Sequence, residues 1–261
     1  MSSSPRFARY VALGDSFTEG VGDHDPARPN GVRGWADRVA EVLGAHDPGF
    51  AYANLAIRGR KLAPILDEQV EPALVLEPDL VTVYAGANDI MRPSVDLETL
   101  LASYEEMIAR LRATGAEVLV WTSADPGGSA TYKLVRDRFR RYSEGVREIA
   151  ARQGARVLDY WHLSEYADWR MWDADRMHMG PAGHQRMAIE VLDTLGVAHD
   201  LEPLVLADPG PTSWAQRLRT DATWVRSFLV PWVHRRVTGR SSGDGMAPRY
   251  PEYTRIAPAG A

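Results

Sequence analysis

The chain has 261 residues, 45% of them hydrophobic and 25% charged, which allows one large domain or two small ones and excludes a disordered or fibrous protein. No cysteine is present, which excludes a disulfide framework, cysteine-ligated zinc, iron–sulfur clusters and a cysteine nucleophile. Any catalysis therefore depends on Ser, His, Asp and Glu. The net charge of -5 argues against a nucleic-acid-binding protein.

The sequence shows neither a membrane-spanning segment nor a secretory signal. A membrane-spanning helix needs roughly 18 to 20 consecutive apolar residues, and no run in the chain comes near that length. The apolar run that starts at Tyr10 stops at Gly14, which is too short for the core of a signal peptide. We therefore expect a cytoplasmic protein.

From Arg9 onward, short runs of β-forming residues alternate with longer segments of helical periodicity. This alternation predicts a parallel sheet covered by helices. Right-handed crossovers favour an open α/β/α sandwich that binds ligands at the carboxyl ends of its strands. The predicted strands are residues 10–13, 51–54, 80–85, 117–122 and 156–159. The predicted helices are residues 34–44, 61–76, 97–114, 132–153 and 181–195.

The composition changes beyond Gly196, and we predict a catalytic domain of residues 1–198 followed by a C-terminal extension of residues 199–261. Within the extension, residues 214–237 place apolar residues at helical spacing opposite several arginines, and Pro231 should break or kink this helix. The sequence after Gly239 is typical of an extended or flexible end. We favour packing of this arm across its own domain. A contact between copies of the chain and a helix on a membrane surface are the alternatives.

The strongest signal for chemistry directly follows the first predicted strand, in the sequence Gly14-Asp-Ser16-Phe-Thr-Glu-Gly20. A serine in this turn lies at the carboxyl edge of the sheet and at the head of a helix, where its own N–H can stabilise an oxyanion. We interpret Ser16 as a nucleophile. The alternative is a structural or phosphate-binding turn, although the Gly-Lys-Ser/Thr sequence of a Walker A loop is missing.

A serine nucleophile needs a general base, and the base needs a carboxylate that orients it. Asp175 and His178 can supply both groups, because they lie three residues apart in one turn before the last predicted helix. Asp173 is a rival carboxylate. His184 lies six residues beyond His178, and we interpret it as a packing or capping residue.

Two further turns follow the second and third predicted strands and so lie at the same edge of the sheet as Ser16. One turn contains Gly59 and the other contains Asn88. A backbone N–H and a side-chain amide are uncharged donors, as an oxyanion hole requires. Each turn alone has a structural interpretation, and only their joint position favours a site.

Together, Gly14-Asp-Ser16-Phe, Gly59, Gly86-Ala-Asn88-Asp and Asp175-Arg-Met-His178 resemble the four sequence blocks of the SGNH, or GDSL-type, esterase and lipase family. The resemblance covers roughly residues 8 to 197. It implies a flavodoxin-like three-layer α/β/α sandwich, here with a five-stranded parallel sheet. It also implies that Ser16 is the nucleophile, that His178 is the base and that Asp175 orients the base. The Ser16 amide, Gly59 and Asn88 would form the oxyanion hole, with no cofactor and no metal ion.

A rival motif occurs in the extension, where Gly239-Arg-Ser241-Ser-Gly243 fits the nucleophile elbow of α/β-hydrolases. Pro-rich sequence follows it where a helix should start, and no histidine follows His234, so a flexible tail is the better interpretation. A metal-dependent hydrolase using Asp175, His178 and His184 lacks the His-Glu-x-x-His pattern. A binding module with a relic site fits poorly, because no catalytic group is missing.

Our leading hypothesis is a cofactor-independent serine esterase that forms an acyl-enzyme, and the alternative is an acyltransferase that uses the same intermediate. We expect a small-molecule ester with a short- to medium-chain acyl group, in a pocket shaped by loops that include residues 91–93 and 123–130. Trp169, Met171 and Trp172 either line that pocket or pack the last helix. We expect no nucleic-acid partner and no membrane contact, and the C-terminal arm is a candidate contact between copies of the chain.

Overall fold

The strands of the central sheet are, in chain order, β1 (Arg9–Gly14), β2 (Ala51–Asn54), β3 (Leu80–Tyr84), β4 (Glu117–Trp121), β5 (Arg156–Leu158) and β6 (Tyr250–Thr254). In space the order is β5-β4-β3-β1-β2-β6. The first five strands are parallel, and β6 pairs with β2 in the antiparallel direction. The structure is a computed structural model that describes residues 7–127, 133–208, 210 and 213–256.

The helices are α1 (Ser16–Glu19), α2 (Gly34–His46), α3 (Leu62–Val75), α4 (Ala87–Ile90), α5 (Leu97–Arg112), α6 (Lys133–Gln153), α7 (Pro181–Leu195), α8 (Trp214–Trp224) and α9 (Val230–Val237). A π-helical turn, Val225–Leu229, joins α8 to α9, so the three form one long helix that we call the roof helix. Short 3₁₀ turns lie at Pro29–Gly31, Tyr160–His162, Ser164–Ala167 and Trp169–Met171. In the described part of the chain, no helix has the length and apolar character needed to cross a membrane.

The sheet has a hydrophobic core on each side, because successive residues of a strand point to opposite faces. On one face, Tyr10 and Ala12 of β1 share a core with buried side chains of α2 and α7. On the other face, Val11 and Leu13 share a core with α3, α5 and α6. The fold is therefore the expected three-layer α/β/α sandwich.

The five predicted strands and the five predicted helices are all present, with ends that differ by one to two residues in most cases. The predicted helix 132–153 begins at Lys133, and Tyr132 lies outside the described residues. The predicted count of five strands is corrected to six, because β6 from the extension joins the sheet.

Strand β6 covers the outer edge of β2, where unpaired backbone groups would otherwise face solvent. Its own position at the edge of the sheet tolerates Pro251, which has no N–H to donate to a further strand. Of the two states predicted for the end after Gly239, extended or flexible, residues 250–254 adopt the extended one as strand β6. Residues 257–261 lie outside the described part. The domain boundary at residue 198 stays a prediction.

The side chain of Arg249, just before β6, lies inside the sandwich as an ion pair with Asp37 of α2, and neither side chain has any exposed surface. The two groups make two contacts of 3.0 and 2.6 Å. Arg249 also donates to the backbone carbonyls of Glu19, Arg33 and Pro29. Burial opposes the charge on Arg249, but Asp37 outweighs it and raises the pKa of the guanidinium.

We expect Arg249→Met to lower the free energy of unfolding by about 3 to 5 kcal/mol, because it leaves the Asp37 carboxylate buried without its partner. Denaturant unfolding of the full chain measures this loss. The matched control is Arg255→Met, since Arg255 is exposed and lies at the end of the same segment. Equal stabilities of the two variants would show that the buried pair does not anchor the extension.

Candidate active site

Ser16 is the first residue of α1 and follows β1 directly, at the carboxyl edge of the sheet. The turn requires glycine at position 14, where φ is 145° and a Cβ atom would lie 2.6 Å from the carbonyl oxygen of Tyr84. Asp15 caps α1, because its carboxylate accepts a 3.0 Å hydrogen bond from the N–H of Phe17. The predicted position of Ser16 is thus the observed one.

A chain of hydrogen bonds links Ser16 to His178 and Asp175. Nε2 of His178 lies 3.0 Å from Oγ of Ser16, and Nδ1 of His178 lies 2.5 Å from Oδ2 of Asp175. The other carboxylate oxygen of Asp175 accepts the backbone N–H groups of Met177 and His178. Burial alone would raise the pKa of Asp175, but these hydrogen bonds, above all the one from the His178 ring, lower it below its usual range. Asp175 is therefore ionised beside the imidazole at neutral pH.

The other two candidates in this region do not join the chain of hydrogen bonds. Oδ2 of Asp173 lies 3.9 Å from Nε2 of His24. The backbone N–H of Asp173 donates to the backbone carbonyl of His178. His184 is buried in α7, where Nδ1 accepts the N–H of Trp35 and Nε2 faces the carbonyl of Val21. Burial lowers the pKa of His184 to about 4, so the ring is neutral and packs the core as expected.

Asn88 and Gly59 lie in neighbouring turns beside Ser16. The side-chain amide of Asn88 donates to Oδ2 of Asp15 at 2.8 Å and to the carbonyl of Arg60 at 3.0 Å. The second contact brings the turn that contains Gly59 next to Asn88. Gly59 has a left-handed φ of 75°, and the extension covers it, since a Cβ there would lie 2.1 Å from Oγ of Ser241.

The carboxyl group of Asp15 is buried beside Asn88, next to Ser16 in the chain. Burial raises its pKa to about 7, against the opposing effects of the Phe17 N–H and of His178. Asp15 was not among the predicted site residues, although an acidic side chain between Gly14 and Ser16 is visible in the sequence. Its hydrogen bond to Asn88 links it to one of the predicted donors.

A cavity of about 440 Å³ opens beside Ser16, Asn88 and His178. Most of its other lining residues are aromatic, aliphatic or thioether side chains, which suits an apolar group of a ligand. They include Phe17, Val21, Tyr84, Met91, Ala124, Phe139, Tyr160, Trp172, Met177 and Met179. Of the two predicted pocket loops, 91–93 contributes Met91 and 123–130 contributes Ala124, while residues 128–130 lie outside the described part.

Three residues before α7, Trp169, Met171 and Trp172, were predicted either to line the pocket or to pack the helix, and their environments differ. Trp172 lines the cavity, as a pocket residue would. Met171 is buried in the core beside α7, as a packing residue would be. Trp169 does neither, because its side chain is 68% exposed.

The roof helix supplies one side of the cavity through Trp224, Leu229 and Trp232, which sequence analysis did not place in the site. Nε1 of Trp224 donates a 2.7 Å hydrogen bond to the backbone carbonyl of Asp175. Asp221 pairs with Arg176 at 2.7 Å, and the Arg176 guanidinium also lies 5.2 Å from the centre of the Trp224 ring. The helix therefore contacts the turn that carries Asp175 and His178.

Ser241, the serine of the rival motif, forms hydrogen bonds that stabilise a loop. Its hydroxyl donates to the carbonyl of Arg58 and accepts the N–H of Gly243, and its backbone N–H binds Asp244. These contacts hold the loop after the roof helix against the turn that contains Gly59.

The sequence profile of the GDSL-like lipase/acylhydrolase family matches residues 12–186. The chain belongs to this family. Family membership makes it a serine ester hydrolase. A search of curated proteins finds no match for the chain.

Solved structures with the SGNH hydrolase fold align with about three quarters of the chain. An acetylxylan esterase of Geobacillus stearothermophilus aligns with a TM-score of 0.63 and 19% identity, over 75% of this chain and 98% of that chain. An α/β hydrolase from the metagenome of Lake Arreo, Spain, gives 0.61 and 21%, over 74% and 97%. The protein TesA gives 0.59 and 22%, over 72% and 97%. At these identities the likeness shows the fold.

We expect Asp15→Asn to change how the stability of this GDSL-family enzyme depends on pH. The native Asp15 carboxyl keeps its proton up to a pKa of about 7, whereas the unfolded group releases it near 3.8. Asp15 therefore contributes fully to the free energy of unfolding below pH 4. As the pH rises to 7 this contribution is lost, at up to about 1.4 kcal/mol per pH unit. Urea unfolding at several pH values should show this fall in wild type relative to Asp15→Asn. Parallel stability curves for the two proteins would contradict it.

Proposed function

We propose that the enzyme cleaves carboxylic esters through an acyl-enzyme on Ser16, with His178 as the base and Asp175 as the residue that orients His178. The observation that carries the proposal is the chain of hydrogen bonds Asp175–His178–Ser16 at the mouth of an apolar cavity. A serine hydroxyl is a weak nucleophile at neutral pH and needs such a base within hydrogen-bond reach.

In the first half of the reaction, Oγ of Ser16 attacks the carbonyl carbon of the ester while Nε2 of His178 takes the hydroxyl proton. The tetrahedral intermediate then collapses, and the protonated His178 gives that proton to the departing alcohol. Asp175 holds the ring so that Nδ1 carries a proton and Nε2 is free to accept one. In the second half, a water molecule attacks the acyl carbon while His178 takes a proton from it. His178 then returns a proton to Oγ of Ser16 as the bond to the acyl group breaks, and the carboxylic acid leaves.

The Ser16 N–H, the Gly59 N–H and the Asn88 amide are the donors that we propose for the oxyanion. Both hydrogens of the Asn88 amide already have acceptors, Asp15 and the Arg60 carbonyl. Asn88 must therefore exchange one of these acceptors for the oxyanion during the reaction.

The cavity favours a short- to medium-chain acyl group, because its volume of about 440 Å³ is closed on one side by Trp224, Leu229 and Trp232. Transfer of the acyl group to an alcohol or amine is the alternative to hydrolysis, since the acyl-enzyme is the same and only the acceptor differs. Product analysis with added acceptors separates the two reactions. The cytoplasmic location stays a prediction.

Ser16→Ala and His178→Ala should each lower kcat/KM by about 10³-fold or more, because each removes a group that acts in the transition state. The measurement is hydrolysis of p-nitrophenyl esters from acetyl to palmitoyl, with EDTA added to one set. Ser241→Ala is the control, since it removes the serine of the rival motif and should retain most of the activity. Full activity of Ser16→Ala would rule out the proposed nucleophile.

Leu229→Trp should lower kcat/KM for octanoyl esters far more than for acetyl esters, because the larger side chain fills the cavity beneath the roof helix. The matched control is Val230→Trp, which changes the next residue, whose side chain is exposed. A chain-length profile that is the same in both variants would show that acyl groups do not occupy this side of the cavity.

A further inference from the structure

The outer side of the roof helix carries a continuous row of exposed apolar side chains, which we call the outer stripe. Its members are between 40% and 81% exposed, and they are Trp214, Leu218, Val225, Val230, Val233 and Val237. None of the described side chains in the roof helix is fully buried. Helical stability in proteins comes mainly from burial of an apolar face, so a long helix exposed in this way needs something to cover it.

The π turn brings the two halves of the outer stripe into line. The N–H of Val230 bonds the carbonyl of Val225, five residues earlier, so these two side chains lie nearly one above the other. In an uninterrupted α-helix, residues five apart point about 140° away from each other. The same offset places Trp224 and Leu229 together on the inner side, where both line the cavity. The turn therefore gives the helix one face for the cavity and one face for an outside surface.

The charge on the roof helix and its C-terminal end is strongly positive. Residues 213–240 contain six arginines and one aspartate, in a chain whose net charge is -5. The aspartate, Asp221, pairs with Arg176 of the catalytic turn. Among the described residues, Arg217, Arg219 and Arg226 are exposed and take part in none of the ion pairs.

This combination matches one kind of surface. Side chains of tryptophan and aliphatic residues flanked by arginines suit the interface of a bilayer with anionic lipids, where apolar groups insert and guanidinium groups meet phosphate. A second copy of the chain is a poorer match, because two such helices would bring like charges together. The body of the enzyme already occupies the opposite side of the helix.

We propose that the outer stripe and its arginines dock the enzyme on the surface of an anionic phospholipid bilayer. The sequence pattern favours packing of the arm and no membrane contact, but packing accounts only for the inner side of the helix. Because the docked helix is also the roof of the cavity, the cavity would lie next to the lipid surface. The substrate would then be an ester held in or near that surface, a step that rests on the proposed esterase activity.

Docking is tested without catalysis, by co-sedimentation of Ser16→Ala protein with vesicles. Vesicles that contain phosphatidylglycerol should bind the protein, vesicles of pure phosphatidylcholine should bind it much less, and added salt should weaken binding. Replacing Arg217, Arg219 and Arg226 by glutamine should lower the partition coefficient about 100-fold, at about fivefold for each arginine. Trp214→Ser with Leu218→Ser should also lower it.

The matched control replaces Arg110, Arg140 and Arg152 of α5 and α6, whose side chains are 37% to 52% exposed, by glutamine. This variant has the same net charge as the first one and should bind vesicles like the parent. Equal loss in both triple variants would overturn a specific docking face, as would no binding to either kind of vesicle. Dimers in solution that Trp214→Ser with Leu218→Ser abolishes, without vesicle binding, would identify a second copy as the occupant and overturn the proposal.

A second measurement separates docking from the proposed reaction. With the catalytically intact enzyme, hydrolysis of a medium-chain ester embedded in anionic vesicles should fall at least tenfold in the triple variant at positions 217, 219 and 226. Hydrolysis of soluble p-nitrophenyl acetate should stay unchanged in that variant. Parental activity of the triple variant on both substrates would overturn the docking role, and so would an equal loss on both. An inert parent enzyme that still binds vesicles would contradict only the proposed function.

Discussion

The buried ion pair between Arg249 and Asp37 anchors the start of β6, the strand through which the extension joins the sheet. Two charges without exposed surface are stable only when each satisfies the other and the remaining donors find acceptors, and here three backbone carbonyls complete the set. The pair fixes the start of β6 against α2. The loop before β6 contacts the turn that contains Gly59, and the roof helix lies over the cavity. The extension is thus held at both the sheet and the site.

The parallel sheet and the position of the catalytic groups followed from local sequence patterns. Strand and helix periodicity placed the first five strands, and the rule that ligands bind at the carboxyl ends of parallel strands placed Ser16 and Asn88 side by side. The three-residue spacing of Asp175 and His178 allowed the orienting hydrogen bond that is observed. These features were predictable because each depends on residues close together in sequence or on a general rule of strand order.

The parts that were not predicted depend on contacts between distant residues. The sequence Tyr-Pro-Glu-Tyr-Thr of β6 has no clear alternation and contains proline, and only the free edge of β2 makes it a strand. A lone arginine such as Arg249 is typical of a surface, and nothing local marks it as buried. Pro231 signalled a disturbance of the helix but not its form. Because proline has no N–H and clashes with the carbonyl four residues earlier, at Ser227, a widened π turn relieves it.

The roof helix also bears on catalysis through the backbone of the turn that it contacts. Arg176, between Asp175 and Met177, has a positive φ of 57°, which is strained for a residue with a side chain. Its side chain is held by Asp221 and the ring of Trp224, and the carbonyl just before it accepts the N–H of Trp224. These contacts tie the roof helix to the backbone of the turn that carries Asp175 and His178. A helix that shifted on meeting an outside surface would therefore change the orientation of the base together with the shape of the cavity.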